Sequence, residues 1–69
     1  MVEAGQLRRW SPDAVVVANR GRMFLVLGLD EDRSINSRYT TWSYLMEGVQ
    51  EWHRVDVIEQ QSEVVNDQG

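Results

Sequence analysis

Met23-Phe24-Leu25-Val26-Leu27-Gly28-Leu29 is the most apolar run in the chain, and its reading decides the fold. The run is too continuous for a strand with one wetted face. A buried helix competes for any such stretch. Its seven-residue length, Gly21 and Gly28 about it and the valines before it favour a strand at the centre of a small all-β domain. The second face of that strand is expected to be partly covered.

Working outward towards the amino terminus, Asn19-Arg20-Gly21-Arg22 is the clearest turn. Ala14-Val15-Val16-Val17 has an extended preference through its β-branched side chains, so a hairpin with the apolar run is the simplest expectation. Ser11-Pro12-Asp13 interrupts the chain, because proline lacks a ladder donor and its neighbours favour a turn. Gly5 to Trp10 reads as a first strand, although strict alternation puts Leu7 and Trp10 on opposite faces.

In the other direction, residues 30–37 form a polar loop. Tyr39 to Leu45 is a strand with Trp42 and Tyr44 on one face and Tyr39, Thr41 and Leu45 on the other. Glu47-Gly48 marks a tight turn. Val49 to Val55 returns as a strand whose Trp52 faces away from Val49, Glu51 and His53. Residues 56–59 suit one helical turn starting near Asp56, with Val55 and Ile58 tucked beneath the sheet. Ser62 to Val65 supplies a last strand, followed by a frayed polar tail. No stretch carries the long 3.6-residue period that a two-helix protein needs.

A chain of 69 residues makes one domain with a thin stability margin, its core expected over residues 4–65. It has no cysteine for a disulfide, and its single histidine, His53, has no cysteine partners for a metal. No apolar run approaches the roughly 20 residues of a membrane span, and the start of the chain carries no apolar signal core. An intracellular protein that avoids membranes is expected. Residues 1–38 hold six arginines against five acids, whereas residues 39–69 hold Arg54 against six acids. An acidic second half works against broad phosphate binding.

His53 shares a predicted face with Glu51, but a general base also needs a positioned reacting group, and no second catalytic element accompanies the pair. Asp30, Glu31 and Asp32 lack the ligand spacing of an EF-hand loop, so a solvated loop is expected there. Gly21 and Gly28 form no phosphate-binding fingerprint. No catalytic residue, cofactor or metal site is therefore assigned. Arg8, Arg9, Arg20, Arg22, Arg33 and Arg38, with Trp10 or Tyr39 as stacking platforms, are the nucleic-acid candidates. A scattered basic surface that offsets nearby carboxylates is the preferred reading of those arginines.

Six aromatics exceed what so small a core hides easily. Phe24, Trp42 and one of Tyr44 or Trp52 are expected inside. Aromatic and arginine side chains are favoured at protein interfaces. Arg9, Trp10, Arg22, Arg38, Tyr39, Trp52 and Arg54 are accordingly the expected protein-contact residues.

The order of strand, loop, hairpin, tight turn, strand, short helical turn and final strand resembles a five-stranded SH3-like barrel. More narrowly, it is similar to small barrel proteins of tailed bacteriophages in Ala4 to Arg8, Phe24 to Leu29, Trp42 to Gly48, Glu51-Trp52 and Val55 to Val65. The resemblance spans most of residues 4–65 and carries no catalytic residue. It implies a non-enzymatic protein-binding or virion structural module in the host cytoplasm or the virion. Its expected partner is a phage or host protein, or a further copy in a homo-oligomer. The alternatives are a nucleic-acid-associated barrel and an acidic inhibitor of a host nucleic-acid-binding protein.

Overall fold

A computed structural model describes residues 1–35 and 37–65. The expected frayed tail falls on residues 66–69, outside the described residues. Leu7–Trp10 forms β1, Met23–Leu29 β2, Thr41–Met46 β3, Val49–Arg54 β4 and Ser62–Val64 β5. They make one antiparallel sheet in the order β4-β3-β2-β1-β5. The domain is thus mostly β, with five strands as expected. The outer strands β4 and β5 are not joined by a ladder among the described residues, so the sheet is open.

Alternation in β2 buries Phe24 and Val26 and exposes Met23, Leu25 and Leu27. The register with β3 then shifts between Val26 and Gly28, a β-bulge that leaves Leu27 as the extra residue. Gly28 sits there at φ 147°, and the nearest atom to a Cβ at this position is the Ala4 Cβ at 4.0 Å. Backbone conformation rather than lack of space therefore calls for glycine. The β3–β4 hairpin closes through Glu47 at φ 54° and Gly48 at φ 80°. Two successive left-handed residues are what a two-residue type I′ turn requires.

Residues 14–17 do not form the expected strand. Both edges of β2 are already taken by β1 and β3, leaving this segment no strand to pair with. Other bonds hold it: Arg20 Nε donates to the Ala14 carbonyl at 2.7 Å, and the Val15 N–H donates to Gln61 Oε1 at 2.8 Å. Ala14 is buried, the three valines face solvent, and Val17–Asn19 forms a 3-10 turn. The tight hairpin expected about Gly21 is thus a longer connection between β1 and β2.

The polar loop after β2 also contains a helical turn, α1 (Glu31–Ser34). Asp30 nucleates it by accepting from the Arg33 N–H at 3.2 Å. The expected turn before the last strand is α2 (Val55–Gln60), with Asp56 Oδ1 accepting from the Val57 N–H at 2.9 Å. Ile58 of α2 enters the core, and Val55 and Val57 pack against it.

Trp10, Phe24 and Tyr44 form the centre of that core. The Trp10 and Phe24 rings stack at 4.6 Å, and Tyr44 meets them at 5.8 and 4.8 Å. Arg8 lies on the same inner face. It is buried, and its guanidinium donates to Ser62 Oγ at 2.8 Å, the Ser62 carbonyl at 3.1 Å and Gln6 Oε1 at 2.8 Å. These acceptors offset the desolvation of a charge that burial disfavours.

Candidate protein interface

The outer face of the sheet holds the candidate site. Strand register aligns Leu7, Leu25, Leu45 and Gln50 in one row across β1, β2, β3 and β4. Met23 lies beside that row opposite Arg9, which in turn stands opposite Glu63. Met23 is 44%, Leu25 39% and Leu27 40% exposed, although β2 is the central strand of the sheet. The apolar run is therefore continuous because it serves two faces, one packed on the core and one open. The second face was expected to be partly covered, and its alternate residues are exposed instead.

Beyond this row, α1 folds back over β3. Ser34 Oγ accepts from the Thr41 N–H at 2.9 Å and donates to the Asp30 carbonyl at 2.7 Å. That packing buries Thr41 and brings the Arg33 guanidinium 3.4 Å above the Trp52 ring. Trp52, 46% exposed, stands opposite Ser43 in β4. Two residues on, Arg54 lies 3.6 Å above the Tyr39 ring and donates through Nε to Asp56 Oδ1 at 3.0 Å. The Arg54 hydrogen bond holds the Asp56 carboxyl below its usual range, and the same contact raises Arg54. Two arginine–aromatic stacks thus follow one another along β4, about 7 Å apart by strand geometry.

The seven expected contact residues divide accordingly. Tyr39, Trp52 and Arg54 come together on this strip, joined by Arg33, and Arg9 borders the apolar row on β1. Trp10 does not belong to the surface. It is 2% exposed, because alternation in β1 turns it inward with Arg8, and its expected surface role is corrected. Arg22 pairs with Glu47 at 2.5 Å beside the hairpin turn, at the far end of β3 from Arg54. Arg38 is exposed in the loop before β3. Sequence reasoning missed Leu7, Met23, Leu25, Leu27 and Leu45 as surface residues. Their signal was the unbroken apolar run, which alternation divides into an inner and an outer set.

The remaining candidates separate. His53 and Glu51 lie on the inner face, where His53 Nδ1 accepts from the Arg54 N–H at 2.9 Å. Burial pushes the His53 imidazolium down, the Arg54 charge adds to this, and Asp56 partly offsets it. Asp30 is engaged with Arg33, and no group of acids or histidine suited to a metal ion occurs among the described residues. The nucleic-acid arginines form no common strip: Arg8 is buried, Arg20 binds the Ala14 carbonyl, and Arg22 and Arg33 are paired with acids. No helix among the described residues is long and apolar enough to cross a membrane.

No family model, curated protein or solved structure matches this chain. The open outer face and its bordering stacks therefore carry the functional reading on their own geometry.

Proposed function

We propose that this chain is a non-enzymatic protein-binding module of the SH3-like kind, docking its partner on the outer sheet face. The observation that carries the reading is the Leu7–Leu25–Leu45 row with Met23 and Leu27, open to solvent and bordered by two arginine–aromatic stacks. Contiguous apolar surface rimmed by polar groups is the anatomy of a protein interface. Aromatic and arginine side chains are its usual anchors. The strand order β4-β3-β2-β1-β5, with α2 immediately before β5, supports the SH3-like class. The resemblance to phage barrels makes a phage or host protein, in the host cytoplasm or the virion, the proposed setting.

Parallel purification of the wild type and Leu25→Glu from the native host tests the proposal. A defined protein held by the wild type and lost by a variant of unchanged circular dichroism is the expected result. Equal retention by both removes the outer face from consideration.

A further inference from the structure

We infer that the outer sheet face docks on a second copy of this chain, forming a two-fold dimer centred on β2. This rests on the reading of that face as a protein interface and names its occupant.

The character of the rim selects the occupant. Around the apolar row, Arg22 is paired with Glu47, Arg33 with Asp30 and Arg54 with Asp56, while Arg9 stands opposite Glu63. The face is thus locally close to neutral although the whole chain carries a charge of -4. A strongly basic or acidic partner gains little from such a rim. A surface that is apolar at its centre and neutralised at its edge fits it without leaving a charge buried and unpaired. The face itself has that character, and a two-fold contact requires a patch that complements itself.

Size agrees. The molecule measures 32 × 27 × 22 Å. One broad side of such a body approaches the ~800 Å² per partner of a standard stable interface. A two-fold axis along β2 lays β1 of one copy over β3 of the other, as in aligned sheet-on-sheet packing. It places Leu25 near the axis and brings the Arg9 edge of one copy over the Glu47 turn of the other. Arg9 makes no ion pair within the chain among the described residues, its side chain resting 3.6 Å from Met23 Sδ. The second copy supplies an acid where Arg9 lacks one.

Sedimentation velocity over a micromolar concentration series tests this on four proteins: wild type, Leu25→Glu, Arg9→Glu and Val15→Glu. Val15 is exposed on the β1–β2 connection, away from the face. The wild type and Val15→Glu are expected to dimerise alike. Leu25→Glu should weaken association by at least about tenfold, as for an anchor residue near an interface centre. Arg9→Glu, a substitution of an exposed side chain that leaves the core intact, should weaken it several-fold. A wild type that stays monomeric throughout, or dimers indifferent to both substitutions on the face, overturns the inference. The native-partner comparison separates the two levels. A monomeric wild type that still holds a different protein through Leu25 ends self-docking and keeps the interface, whereas Leu25→Glu altering neither property ends both.

Discussion

Arg8 and Ser62 show how much one polar contact carries in a core this small. Arg8 lies among Trp10 and Phe24 on the inner face, and Ser62 Oγ accepts from its Nε while also donating to the Ile58 carbonyl. Burial pulls the Arg8 guanidinium down, and the charge of Glu59 partly counters the effect. Ser62→Ala removes an acceptor for a buried cation and leaves the Ile58 carbonyl without that donor. The expected loss is about 1–3 kcal/mol, read as a lower urea midpoint at unchanged slope. A midpoint equal to that of the wild type would show that Ser62 is dispensable. The i, i+2 spacing of Arg8 and Trp10 ties the two residues to one face in the sequence. Which face is inner depends on β5 and α2, which approach from more than fifty residues away along the chain.

At the scale of elements, the β3–β4 hairpin and α2 were legible because their signals are local. The Glu47-Gly48 pair and the helical turn after Val55 need only neighbouring residues to form. Glu47 nevertheless holds a left-handed conformation that asparagine tolerates better. Glu47→Asn is therefore expected to raise stability by roughly 0.5 kcal/mol, since the exposed ion pair with Arg22 contributes little. Gly48→Val should lower it by about 1–2 kcal/mol through left-handed strain. Thermal melts of the two variants check both signs, and shifts in the same direction would contradict the turn assignment. Residues 14–17 are the opposite case. Their valines favour a strand, yet no free strand edge reaches them, and bonds from Arg20 and Gln61 impose a bend.

For the whole molecule, two buried titrating side chains bracket the pH range of stability. The folded His53 has a pKa below its ordinary 6.5, so its contribution is present above that value and lost as acid protonates the unfolded chain preferentially. Burial, helped by Glu51, raises the Tyr44 pKa from 10.0 to about 12. Its contribution is complete below pH 10 and disappears as pH rises towards about 12, amounting to about 2 kcal/mol. Chemical unfolding across pH should thus show decreasing stability on both sides of a neutral-to-alkaline plateau. His53→Gln should flatten the acid limb and Tyr44→Phe the alkaline limb. Persistence of either limb in its variant would assign that limb to other groups.

What the sequence determined by itself was the set of elements that short-range chemistry specifies. These are five strands of mainly alternating residues, a glycine turn, and a helical turn ahead of the last strand. It also marked Tyr39, Trp52 and Arg54 as contact residues, because aromatic and arginine side chains exceed what the core accepts. Tertiary structure decided which face of β1 and β2 turned inward. That choice buried Arg8 and Trp10, left Met23, Leu25 and Leu27 outside, and brought Arg33 from α1 over Trp52. The reason is physical: alternation assigns residues to two faces, but only the packing of distant elements determines which face loses its water.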